Sequence, residues 1–317
     1  MGKQDEYLKR YREQQSWYRS SFTEKRIPSS GGGTLRVALP NRTSQKVTTV
    51  VVSGRTEYIE KYIEFARDLN HRGISVCLYD HCGQGASDRQ LEDRQKGHID
   101  RFDTYVEDLH RVVGELSGAE GLDQVRLISH SMGGTVSMLY AMRHPGRINS
   151  LVLGSPMCAI RTDSIFPQFL IKPYVSAACR LGRGDHYVAT TGPYQPVLPF
   201  KENLFTSDEV RFSYNRFLTN LLDFAPLGGP TYSWLHEAYK AMRAVNANIE
   251  RIAIPMLIFA APHDQVIKSG VIKRISTSSE YCSVQEYDDG RHELFMEVDR
   301  IRDDILTRTV NFFEKSL

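Results

Sequence analysis

The chain has no apolar run approaching the roughly 20 residues needed to span a bilayer. Its first residues, MGKQDEYLKRYREQQSWYRSS, carry charge where a secretory signal would carry an apolar segment. Glu6 stands where a myristoylation signal needs Ser or Thr. Cysteine is sparse: Cys77, Cys82, Cys158, Cys179 and Cys282 are scattered, odd in number and without a CxxC pair. That excludes a disulfide framework and a cysteine zinc site, and it suits a reducing compartment. Excess charge is missing too. Lys and Arg number 40 against 38 Asp and Glu, a net +2, so nothing points to nucleic acid, which would need a basic stripe. These absences predict a cytoplasmic protein with no cofactor, no metal and no obligate protein partner.

What is present is ample apolar content, 41% of 317 residues, enough for one large domain or two. Residues 1–30 hold a loose helical stripe, Tyr7, Leu8, Tyr11 and Tyr18, and predict a helical extension packed on the surface. The alternative for this basic segment is a peripheral contact with anionic lipid at the inner membrane. After the SSGGG punctuation at 29–33, strands and helices alternate. TLRVAL, KVTTVVVSG, GISVCLYD, the segment around Val125–Ile128, INSLVLGSP, IPMLIFAAP and YCSVQEYDD read as strands. Helical spacing joins Ile59 to Leu69, Phe102 to Val113 and Val298 to Phe312, and puts Thr135, Met138, Leu139 and Met142 on one face. The prediction is an α/β fold, a mostly parallel sheet with helices on both faces. Its core is 31–155 with 254–317. The alternation breaks over 156–253, a stretch dense in Pro, Gly and aromatics, predicted to be a cap over the C-terminal edge of the sheet.

The chemistry centres on SHSMGG. A nucleophile elbow needs a strand, a sharp turn and a helix, with small residues flanking the nucleophile. Ser131 sits in the turn, Gly133 and Gly134 open the helix, and Ser129 takes the place of the first glycine of G-x-S-x-G. A serine hydroxyl needs a base to take its proton. The order Ser…Asp…His is available, with Asp264 after the strand IPMLIFA and His292 after the strand YCSVQEY. His292 is the expected base and Asp264 the acid that orients it, with Asp288 and Asp289 as substitutes for the acid. Among the other histidines, His130 adjoins the nucleophile and should point elsewhere, and His263 lies in the acid loop. The expected oxyanion donors are the backbone N–H groups of Met132 and Arg55. The Arg55 side chain is either a contact for an anionic head group or a solvated surface arginine.

These stretches resemble the α/β-hydrolase superfamily, and more closely its bacterial lysophospholipase and monoglyceride-lipase branch. The resemblance rests on VVSGRTEYIEKYIEFARDLNHRGISVCLYDHCGQGASDR, the elbow, LFTSDEVRF…LGGPTYSWLHEAYKAM and GRHELFME, and covers most of the chain from residue 34. It implies hydrolysis of acyl esters of glycerol or glycerophospho compounds through an acyl-enzyme on Ser131, and the same triad and oxyanion donors. Three positions depart from the pattern: Ser129 for Gly, Ser53 for the His of an HG loop, and Cys82 for the Arg of D-x-R-G-x-G. The lipid-like ester expected as substrate is a lysophospholipid, with a monoacylglycerol or a general carboxylester as alternatives and an inactive binding protein as the remote one. Ser131 excludes epoxide hydrolases and haloalkane dehalogenases, which place Asp there. A proline-releasing peptidase would need acidic groups for a free amine, and the cap offers no clear pair.

Overall fold

The computed structural model describes residues 2–41, 47–120, 124–161 and 168–316. Lys46 of the KVTTVVVSG strand and residues 162–167 of the expected cap lie outside them. The chain order is α1 (Lys3–Ser21), β1 (Phe22–Pro28), β2 (Thr34–Pro40), β3 (Val47–Val52), α2 (Ile59–His71), β4 (Val76–Tyr79), α3 (Asp103–Glu120), β5 (Gln124–His130), α4 (Met132–Arg143) and β6 (Ser150–Gly154). There follow α5 (Gln168–Arg180), α6 (Glu209–Leu221), α7 (Tyr232–Ala247), β7 (Met256–Ala260), α8 (Gly270–Thr277), β8 (Cys282–Glu286) and α9 (Asp299–Lys315).

The strands form one sheet in the order β1-β2-β4-β3-β5-β6-β7-β8. From β4 to β8 all pairs are parallel, while β2 runs antiparallel to β4 and β1 antiparallel to β2. Strands β4, β6 and β7 are buried at every position, as a parallel sheet covered on both faces requires. The two-residue period sorts the core: Val50, Val52 and Leu127 pack with α3, α4 and α7, whereas Val51 and Ile128 pack with α2 and α9. This is the α/β-hydrolase fold.

Two elements differ from expectation. The N-terminal helix stops at Ser21, and residues 22–28 add an edge strand, with Phe22 and Ile27 buried. Strand pairing with β2 satisfies backbone groups that a longer helix would leave facing the sheet edge. α1 itself lies on the protein, Arg10 pairing with Glu64 at 3.0 Å and Tyr7 meeting the rings of Tyr214 and Phe217 on α6. Helix α4 buries all sides rather than one, every residue before Arg143 being buried, because it is enclosed between the sheet, α3 and α7. Between β6 and β7 the described residues carry helices and loops and no strand longer than isolated bridges. No helix among the described residues is long and apolar enough to cross a membrane.

Candidate active site

Ser131 follows β5 and caps α4 with φ 49° and ψ −114°, a left-handed backbone that a non-glycine residue adopts only when its surroundings impose it. Three hydrogen bonds impose it here. The Ser131 amide donates to the Gly154 carbonyl (3.0 Å), and its carbonyl accepts from the Gly134 and Met157 amides, both at 2.9 Å. Gly133 is required, since a Cβ there would collide with the carbonyl oxygen of Val52. Ser129 fits because its hydroxyl shares a buried 2.7 Å hydrogen bond with Ser137 on α4. The serine in place of the motif's first glycine is thus an added strand–helix tie.

The structure brings Ser131, His292 and Asp264 together from three strand ends. His292 Nε2 lies 2.9 Å from Ser131 Oγ, and His292 Nδ1 lies 2.7 Å from Asp264 Oδ2. All three are buried, at 8%, 4% and 1% exposure, so their electrostatics are little screened by water. Burial alone would raise the Asp264 carboxyl. The hydrogen bond and charge of His292, with the Ile267 and Val266 amides at 3.0 and 2.7 Å on Oδ1, outweigh it and hold the carboxyl below its ordinary value. Asp288 and Asp289, the substitutes for the acid, are exposed.

The loop after β3, where the sequence places an oxyanion donor, is held from outside itself. Gln84, from the DHCGQG segment, donates to the carbonyls of Gly54 (2.7 Å) and Glu57 (3.1 Å), and its Oε1 accepts from the Thr56 amide. Ser53, in place of the HG-loop histidine, accepts through its carbonyl from His81 Nε2 at 3.0 Å. The amides of Arg55 and Met132 donate to no other group among the described residues, so both are free for an oxygen near Ser131. The segment carrying Cys82 is ordered by its neighbour: Asp80 accepts from the Ile59 and Ala86 amides, each at 2.8 Å, while Cys82 is simply buried. The Arg55 side chain is not a solvated surface arginine. It donates to the Gly228 carbonyl and lies over Trp234 at 5.2 Å, and burial lowers its pKa to about 10.

The His130 ring nitrogens bond groups other than Ser131, and this gives it work that the sequence reading missed. Its Nε2 lies 3.1 Å from the His292 carbonyl and its Nδ1 3.1 Å from Glu57 Oε2. A carbonyl only accepts, and Glu57 is a carboxylate, so both ring nitrogens carry hydrogen and His130 is an imidazolium. Burial disfavours the Glu57 charge, yet Lys61 and His130 hold it well below the ordinary range. Burial likewise disfavours protonated His130, and Glu57 overrides it, raising the histidine. Lys61 also bonds Glu293 at 2.6 Å, so this cluster locks the loop carrying His292. The stability from His130 is fully present below its ordinary value near 6.5 and is lost as pH rises through the raised folded one. The melting-temperature deficit of His130→Ala should therefore be largest near about pH 6 and shrink towards about pH 9. A deficit that grew with pH would contradict the imidazolium.

A cavity of about 520 Å³ opens onto Ser131 and His292. Met157, Ile160, Phe205, Phe212, Val266 and Ile267 give it apolar walls, and much of the rest comes from residues 193–234. Residues 203–207 are stitched to the His292 loop: Arg291 Nη1 donates to the Asn203 carbonyl (2.7 Å) and the Glu293 amide to the Phe205 carbonyl (2.7 Å). Among the described residues no group of His, Cys, Asp and Glu has the arrangement of a metal site.

Residues 43–299 match the family described as serine aminopeptidase, S33. The chain is 32% identical to lysophospholipase L2 of Escherichia coli K12, over 84% of this chain and 80% of that one. It is 30% identical to a Haemophilus influenzae protein named "Probable lysophospholipase L2", over 83% and 82%. A soluble variant of Saccharomyces cerevisiae monoglyceride lipase, solved with a substrate analogue, shares the fold with a TM-score of 0.72 at 16% identity, covering 94% of this chain and 96% of that one. With its elbow, parallel sheet and extensive likeness to these proteins, the chain belongs to the serine aminopeptidase, S33 family of α/β-hydrolases.

Proposed function

We propose that the protein is a serine ester hydrolase that releases the fatty acid from lysoglycerophospholipids through an acyl-enzyme on Ser131. The observation that carries this reading is the continuous relay Ser131–His292–Asp264, buried at the base of a largely apolar cavity. In it, His292 Nε2 takes the hydroxyl proton as Ser131 Oγ bonds to the ester carbonyl carbon. The amides of Arg55 and Met132 hold the oxyanion, and collapse expels the glycerophospho alcohol, which takes the proton from His292. Water then repeats the path and frees the acid. Residues 31–155 and 254–317 act as the catalytic core, with β1 joined to its sheet, and 156–253 as the cap.

The lysophospholipase L2 names of relatives matched over about four fifths of their length support the substrate class. Aminopeptidase action is disfavoured because the carboxylates of the cavity beside the triad, Glu57 and Glu293, are already engaged by Lys61 and His130. A monoacylglycerol lipase or carboxylesterase would use the same triad, so substrates must decide. A peripheral membrane contact belongs to the same reading, through the cap rather than α1. Among the described residues, every exposed large apolar side chain except Tyr281 lies within 169–221. Phe169, Leu170, Tyr174 and Leu181 share residues 168–184 with Lys172, Arg180 and Arg183 and with no acid, which favours an anionic lipid surface.

One assay panel tests both parts. Lysophosphatidylethanolamine should have a higher kcat/KM than monoacylglycerol or p-nitrophenyl butyrate, and turnover of the short ester alone would sink the lipid assignment. Phe169→Asp with Leu181→Asp should fall severalfold on vesicle-borne lysolipid relative to the soluble ester. Equal loss on both would remove the cap as the docking face.

A further inference from the structure

Resting on that reading, we propose that Arg55 and Arg216 form the subsite for the substrate's phosphodiester, and so set the preference for phospholipid over neutral glyceride. The cavity holds three long-chain cations among its described lining residues: Arg55, Lys61 and Arg216. Lys61 is neutralised by two carboxylates, Glu57 at 2.8 Å and Glu293 at 2.6 Å. Neither arginine has a carboxylate within ion-pair distance among the described residues. The two sit alike although they come from different elements. Each lies over one aromatic ring, Arg55 over Trp234 at 5.2 Å and Arg216 over Tyr194 at 4.5 Å. Each gives a single N–H to a backbone carbonyl, Arg55 to Gly228 and Arg216 to Gln195, and each keeps a buried Nε with no partner.

A guanidinium offers five N–H donors in a planar fork and stays charged. Stacked on a ring and held by one carbonyl, it is fixed in place with donors to spare. A half-buried cation left without a counter-charge in a mostly apolar cavity is costly unless an anion joins it. The carbonyl acceptors lie in two adjoining backbone runs, since the Gly229 amide donates to the Gly192 carbonyl at 2.7 Å and Gln95 bonds both the Gly228 and Tyr194 amides. Both arginines are therefore anchored on adjoining backbone runs of 192–195 and 228–229 while lining the same cavity as Ser131 and His292. A phosphodiester one glycerol away from the scissile ester is the anion a lysophospholipid would bring there. Monoacylglycerol brings none.

The test compares kcat/KM for lysophosphatidylethanolamine and for a monoacylglycerol of the same acyl chain, in the wild type, Arg216→Ala, Arg216→Lys and Arg55→Lys. The Arg55 change keeps the backbone amide proposed for the oxyanion. Charge-assisted hydrogen bonds of this kind support a selectivity ratio that falls about tenfold or more in Arg216→Ala and by less in the lysine variants. Monoacylglycerol turnover reports that the Arg216 variants are folded, and circular dichroism with the melting temperature reports it for Arg55→Lys. A ratio that stays constant while both substrates slow together, or while neither slows, overturns the subsite. Inorganic phosphate that competes with lysolipid as strongly as glycerophosphate does overturns it in favour of a free-phosphate site. A wild type that cleaves monoacylglycerol but no lysophospholipid fails the functional reading itself, before any variant is measured.

Discussion

Asp264→Asn should lower kcat about ten-thousand-fold with the fold intact, because it reverses a hydrogen bond without removing one. Asp264 uses its two oxygens differently: Oδ1 accepts from the Val266 and Ile267 amides, and Oδ2 faces His292 Nδ1 at 2.7 Å. Asparagine keeps its oxygen on the two amides and must turn its NH₂ towards the histidine. His292 Nδ1 then has to accept, which places the remaining ring hydrogen on Nε2, the atom facing Ser131 at 2.9 Å. A base whose lone pair is on the wrong nitrogen cannot take the serine proton. Steady-state ester hydrolysis together with circular dichroism checks this. A loss of less than about tenfold would mean that Asp264 does not set the tautomer.

Ser131→Ala should abolish ester turnover by about a thousand-fold or more, since nucleophile, base and acid act as one unit and, among the described residues, no other hydroxyl is held against His292 Nε2. The substitution keeps the Cβ, so the positive-φ turn is no more strained than before, and the hydrogen bonds fixing it are all from the backbone. A near-unchanged melting temperature is therefore expected beside the lost activity. Hydrolysis of p-nitrophenyl butyrate at the wild-type rate by this variant would end the acyl-enzyme account.

Much of this arrangement was legible before any coordinates. Asp264 and His292 stand directly after apolar strand segments, and in a parallel sheet such strand ends collect on one edge, so linear order translated into proximity. The strands were legible because β4, β6 and β7, buried on both faces, read as unbroken apolar runs. What stayed hidden depends on partners distant in the chain. Phe22–Pro28 alternates poorly, with four exposed positions between Phe22 and Ile27, and becomes a strand only because β2 offers an edge. Helix α4 has an apolar face in projection, but α3 and α7 enclose its other sides. Glu57, 73 residues from His130, carries no local sign that it charges a histidine, which in turn holds the His292 loop. The loop from Gly54 to Glu57 was legible as the place of the Arg55 amide, but not that Gln84, about 30 residues on, clasps its carbonyls. The one available signal was compositional: acids and a lysine at Glu57, Glu60 and Lys61 fall on a helix start that should otherwise face the apolar core.

The central claim is that Ser131 is an activated nucleophile, and a fluorophosphonate probe tests it most directly. Intact-mass and peptide-mapping measurements should find one phosphonyl group per chain, on the peptide containing Ser131, with activity lost in proportion to labelling and no labelling in Ser131→Ala. Complete inactivation with the label on another residue, or full activity retained after Ser131 is labelled, would contradict it.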